Sequence, residues 1–197
     1  MFLLAAKAAQ HALLYAMMWH TGLRHADVSK VLIQSIQMVT NLAPHPEPFH
    51  EWYLHVGLTK TSKQSGIKRV LRIHDDGSAA SLQACLSILR QCLRSMSLEL
   101  RDGYIFAAIT CRDGYPRLGP DPATYKTAEN YFDMVKDLTG VPAGVKLHSF
   151  HGSKAALDLA RGASTEDICE DMDWTMGTLH EYLDGRIPIT MPVEVKG

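Results

Sequence analysis

An excess of charge of either sign is missing from this sequence. Its 197 residues carry 20 Lys+Arg against 21 Asp+Glu, a formal net charge of −1. A uniformly basic nucleic-acid coat is therefore excluded, while a local basic groove stays open, because net charge says nothing about distribution. Cysteine is sparse as well. The four thiols, Cys85, Cys92, Cys111 and Cys169, contain no C-x-x-C pair, which excludes a zinc ribbon, a thioredoxin motif and a disulfide scaffold. A reducing compartment is the simpler reading. Long apolar runs are missing too. The first 19 residues look superficially like a signal peptide, but Lys7, Gln10 and His11 interrupt them. No run reaches the roughly 20 residues that a membrane span needs, so the segment reads as a buried helix and no membrane partner is expected. Internal repeats and low-complexity stretches are also lacking.

What is present is the composition of an ordinary globular protein, 46% apolar and 21% charged. A chain of this size buries its core without staples. Apolar positions at helical spacing predict a long helix over residues 2–19, and Ala26 to Ile36 reads as a second, with Asp27 at its start. The proline-rich stretch from Asn41 to Pro48 reads as a loop. Trp52 to Leu58 and Arg69 to Ile73 have strand character and suggest a β-hairpin with a long basic tip carrying Lys60, Lys63, Lys68 and Arg69. Leu82, Leu86, Leu89, Leu93 and Met96 mark an amphipathic helix over 79–98. Tyr104 to Thr110 is a short apolar run, followed by a Gly/Pro-rich loop to Pro122. Further helices are predicted over 123–138, closed by Gly140, then 150–161, 165–172 and 175–183, with Ser164 and Thr165 as capping signals. The fold class is mainly α with a small antiparallel sheet (α+β), without alternating βαβ units.

Chemistry-bearing side chains fall in four places. In Thr21-Gly22-Leu23-Arg24, an arginine lies just past a glycine turn, and Asp27 follows at helical spacing. The planar guanidinium makes two parallel charge-assisted bonds to a phosphate, although a surface pair with Asp27 is the commoner use of such a residue. Lys60 sits in a polar run that is otherwise an ordinary turn. His148 and His151 share one helix face; no third ligand stands in register for a metal, and one buried plus one exposed histidine is the plainer reading. Trp174 precedes Tyr182 by eight residues. A tyrosine there is usually core, but a phenol also serves as a nucleophile when cations stabilise the phosphate it attacks.

Taken in order, these residues resemble the catalytic domain of the tyrosine recombinases, the phage-integrase superfamily. That family reads T-G-L-R with an acid three residues on, a Lys on a β-hairpin, H-x-x-R, then G-[HW] and a Tyr. Arg161-Gly162-Ala-Ser-Thr-Glu-Asp-Ile168 resembles the glycine turn between its last helices. The likeness covers residues 1–183 as a catalytic domain, with 184–197 as a C-terminal tail, and leans toward a mobile-element branch. It implies DNA strand cleavage and rejoining through a 3′-phosphotyrosyl link, or, if chemistry has decayed, a DNA-binding protein on the same fold. Tyr182 would be the nucleophile and Lys60 the acid for the leaving oxygen. Arg24 and the residue at 151 would grip the phosphate, His148 and Trp174 would polarise it, and Asp27 would support Arg24. Lys63, Lys68, Arg69 and Lys154 would contact DNA. The implied partner is double-stranded DNA, with self-association through the tail. No metal or cofactor is implied, and the place is inside the cell with DNA, in nucleus or nucleoid.

Two departures stand out. The family's second arginine is His151, followed by Gly152, and the step from Trp174 to Tyr182 is one residue short. Loss of one clamp costs roughly 10²–10³ in rate, by analogy with an oxyanion-hole donor, unless Lys154 substitutes. The N-terminal clamp domain of the family is expected to be absent.

Overall fold

The computed structural model describes residues 2–41, 49–56, 69–73, 78–100 and 102–184. The first helix, α1 (Phe2–Thr21), runs through the centre of the main core. Its Leu13, Leu14, Met17 and Met18 are buried against Leu82, Leu86 and Leu89 of α3 (Ser78–Arg94). Two polar side chains of α1, the buried Gln10 and the half-buried Tyr15, are tied to distant backbone. Gln10 Nε2 donates to the carbonyls of Ile105 (3.1 Å) and Ala107 (2.9 Å), and Tyr15 donates to Ala128 O at 2.8 Å. Such bonds hold the helix in register, because an unpaired buried polar group costs more than the bond itself gains. Among the described residues no helix is long and apolar enough to cross a membrane.

The predicted helix over 26–36 is replaced by something else. α2 (His25–Val28) makes a single turn, a 3₁₀ turn covers Ile33–Ser35, and β1 (Ile36–Asn41) follows. The reason is tertiary. Ile105 N donates to Val31 O (3.0 Å), Ile33 N donates to Gly103 O (3.0 Å), and Leu32 bridges Tyr104. These bonds capture the very backbone groups that a longer helix needs, and the alternating Ile36-Gln37-Met38-Val39 then suits a strand. β1 pairs antiparallel with β2 (Phe49–Val56), which pairs antiparallel with β3 (Arg69–Ile73). The expected hairpin is thus two strands of a three-stranded sheet, with β2 in the middle and β3 at one edge. Its predicted tip, with Lys60, Lys63 and Lys68, lies outside the described residues, and so does nearly all of the proline loop.

The Gly/Pro-rich loop is corrected as well. β4 (Ala107–Arg112) and β5 (Tyr115–Pro122) form a second hairpin. Asp113 and Gly114 turn it with φ of 54° and 81°. Two successive positive φ values define the type I′ turn that Asp-Gly favours, and prolines are tolerated because a two-stranded ribbon is all edge.

The remaining helices match expectation closely: α4 (Tyr125–Thr139), α5 (Ser149–Ala160), α6 (Thr165–Met172) and α7 (Met176–Leu183). Their ends follow from local chemistry. Thr124 Oγ1 accepts from Thr127 N, Ser164 Oγ from Asp167 N and Thr175 Oγ1 from Thr178 N, at 3.0–3.2 Å, each an N-cap of the expected kind. The last three helices bury a smaller core of their own around Ala155, Ile168, Leu179 and Leu183.

Candidate active site

The site begins where α1 ends. The Thr21 hydroxyl donates to Met17 O at 2.6 Å and accepts from Leu23 N at 3.2 Å, and Gly22 N closes the helix onto Met18 O at 3.0 Å. Gly22 has φ +65°, and a Cβ there would press into the Met172 thioether, with Cε 2.7 Å away. The positive φ is what favours glycine here, since the Met172 thioether is the flexible end of a side chain and can swing aside. Replacing Gly22 with Ala is expected to cost about 1–2 kcal/mol, mostly backbone strain at the positive φ. Thermal unfolding checks this, and a change under about 0.5 kcal/mol would show that the turn rearranges freely. Past the turn, Arg24 stays extended (φ −70°, ψ 151°) before α2 begins.

Arg24, His148 and His151 line one pocket of about 290 Å³, with Met18, His25 and Tyr125 completing its wall. His151 is 3% exposed. Its Nδ1 faces the Gly22 carbonyl across a short hydrogen bond, and its Nε2 accepts from Trp174 Nε1 at 3.1 Å. Because the indole N–H can only donate, Nε2 must be bare, and Nδ1 then carries the proton and donates to Gly22. Both ring nitrogens are engaged in a neutral imidazole. Burial lowers its pKa to about 4, with Arg24 and His148 adding to the effect and the Gly22 carbonyl opposing it.

This gives the residue a signature in stability. The folded-state pKa lies below the ordinary value near 6.5, so the proton binds the unfolded chain first. The stability contribution is complete above about pH 6.5 and is lost as pH falls toward 4, reaching roughly 3 kcal/mol. Burial pushes His11 and His25 in the same direction, so wild type and His151→Gln must be compared. Wild type is expected to lose roughly 3 kcal/mol more than the variant between pH 7.5 and 4. Parallel curves would mean that His151 titrates normally.

Tyr182, on α7, completes the cluster. Its hydroxyl lies 2.6 Å from His148 Nε2, and its ring stacks on Trp174 (centroids 4.4 Å, 12°) and meets the His151 ring edge-on at 5.4 Å. The one-residue shortening before Tyr182 thus still delivers the phenol to His148. Asp173, at φ +54°, turns the chain so that Trp174 points inward, where it is 9% exposed. The two histidines divide as the plainer reading had it: His151 is buried and His148 exposed.

The other expected residues are placed less centrally. Asp27 lies within α2, one turn from Arg24. Lys154 Nζ is held by the Asp158 carboxylate one turn along α5, with side-chain exposures of 21% and 16%, which ties its charge down away from the pocket wall. Arg69 enters β3 opposite Val56 by its backbone. Two pocket residues escaped sequence reasoning. His25 directly follows Arg24, which is a signal of sorts, and its Nε2 is buried without a hydrogen-bond partner. Tyr125 had no local signal, since only the packing of α4 brings its ring to 5.2 Å from His25. Among the described residues no group of three His, Cys, Asp or Glu side chains is placed to hold a metal ion.

No family model and no curated protein sequence matches the chain. Solved structures do. A post-cleavage complex of the XerH site-specific recombinase with its palindromic difH substrate superposes with a TM-score of 0.62 at 13% identity, over 93% of this chain and 47% of the recombinase. The XerA recombinase superposes with a TM-score of 0.57 at 12% identity, over 96% of this chain and 55% of XerA. The fold is that of the tyrosine-recombinase catalytic domain. The chain spans about half the length of these recombinases.

Proposed function

We propose that this protein cleaves and rejoins DNA strands, with Tyr182 as the nucleophile, inside the cell where DNA is found. The observation that carries the reading is the Tyr182 hydroxyl 2.6 Å from His148 Nε2, with His148 and Arg24 lining one pocket. His148 Nε2 takes the phenolic proton as the phenol oxygen attacks phosphorus. Arg24 offers a planar pair of donors to the phosphate oxygens, on which charge is spread during transfer. The bond to the 5′ oxygen breaks, and that oxygen leaves as a hydroxyl; by resemblance its proton comes from Lys60. A phosphotyrosyl bond replaces one phosphodiester bond, so attack by a 5′ hydroxyl reverses the step without an external energy source.

Trp174 and His151 take a different part from the one the resemblance implies. Their mutual hydrogen bond makes a neutral back wall that holds the Tyr182 ring, in place of a second cationic clamp. That same feature favours the second reading, a recombinase-fold protein that binds DNA with chemistry impaired. Covalent trapping separates the two. The protein is mixed with nicked duplexes of random sequence from which the cut strand diffuses away, then run on a denaturing gel. A Tyr182-dependent adduct supports the enzyme. DNA binding without any adduct supports the impaired binder, and neither binding nor adduct sinks both.

A further inference from the structure

The β4–β5 hairpin carries a surface that the active site does not use. In its register Arg112 lies opposite Tyr115 and Thr110 opposite Arg117, so these four residues share one face, while Ile109 and Leu118 point from the other face to the core. All four are exposed, Tyr115 to 69%. Two acids belong to the ribbon: Asp113 sits in the turn with its carboxylate 3.8 Å from Arg112 Nε, both side chains about four-fifths exposed, and Asp121 is exposed near the base of β5. An ion pair that open is too weak to neutralise the arginine.

The ribbon is also well anchored beside the pocket. Ala123 N donates to Phe106 O at 2.7 Å, and Gln10 holds the carbonyl of Ala107 at the base. Two residues past Ala123 comes Tyr125, which lines the Arg24 pocket. Six strand residues extend about 20 Å, the length of roughly six base-pair steps at about 3.4 Å each. Arg112 and Arg117 are diagonal neighbours, roughly 7–8 Å apart at their stems, and each can take its own phosphate.

We infer that this hairpin face grips the backbone of duplex DNA beside the cleavage pocket, with Arg112 and Arg117 as phosphate contacts and Tyr115 packing against the sugar edge between them. The inference rests on the proposed function for the identity of the polyanion. A chain with a net charge of −1 gains nothing from its overall charge toward DNA, so its affinity must come from local clusters such as this one.

Fluorescence anisotropy on a labelled duplex of about 30 base pairs, at several NaCl concentrations, tests it. Arg112→Gln with Arg117→Gln is expected to weaken binding about tenfold at moderate salt. It is also expected to lower the slope of log K against log[salt] by about 1.8, the value for two lost phosphate contacts. Arg112→Glu with Arg117→Glu should weaken binding further, and an unchanged melting temperature in both variants shows that they fold. Wild-type affinity and slope in both variants would overturn the hairpin assignment while leaving the proposed function standing. A wild-type protein with no salt-dependent affinity for duplex DNA would overturn both.

Discussion

Tyr182→Phe is expected to remove the covalent protein–DNA adduct altogether, a loss on the order of 10⁴–10⁶-fold in its rate of formation, as for other enzymes deprived of their nucleophile. The variant isolates chemistry from structure unusually well. The phenyl ring keeps its stacking on Trp174 and its edge contact with His151. The hydroxyl and its bond to His148 are lost, worth about 1 kcal/mol. Duplex affinity should stay within about threefold, since a single hydroxyl is a small part of a binding dominated by phosphate contacts. An adduct that forms equally well in Tyr182→Phe would move the nucleophile elsewhere and end the proposed mechanism.

Arg24→Ala is expected to slow adduct formation by about 10³-fold while leaving the protein folded. Removing one preorganised donor from a phosphate or oxyanion site typically costs 10²–10³, and the upper end applies here for a structural reason. At the position of the family's second arginine stands His151, whose pKa is lowered to about 4 by burial and whose two nitrogens are taken by Gly22 and Trp174. Lys154 is held by Asp158. Among the described residues of the pocket wall, Arg24 is the one guanidinium. Its backbone takes up the extended conformation before α2 without a side-chain cap, so alanine fits there. The salt slope of binding should fall by about 0.9, one phosphate contact. Arg24→Lys should be intermediate, because a point charge lacks the two-pronged fork. A loss under tenfold in Arg24→Ala would assign the phosphate to other cations.

Much of the helical frame could be read from local pattern. The cap at Ser164 and the closing Gly140 are one-residue signals acting over one turn, and helices α4 to α7 begin and end within two residues of the expected bounds. The errors fall where backbone groups were claimed from far away. The stretch 26–36 has enough apolar spacing for a helix, but Gly103 and Ile105, some 70 residues on, take its donors and acceptors. The Asp113-Gly114 turn was a legible hairpin signal outweighed by the prolines after it, which count against an inner strand and leave a two-stranded ribbon intact.

The site divides the same way. The order Arg24, His148, Trp174, Tyr182 along the chain marks out the family pattern, and so does the substitution of histidine at 151. The charge, tautomer and direction of those side chains could not be read there. His151 is neutral because Gly22, 129 residues away, and Trp174, 23 residues away, occupy its nitrogens in a buried place. Sequence by itself determined which functional groups are present and which local elements carry them, since propensity, capping and periodicity act within a turn or two. Tertiary structure alone decided which of those groups meet, which stay charged and which are already spoken for. Burial and hydrogen bonding set a side chain's protonation and reach, and both depend on neighbours that the chain supplies only once it has folded.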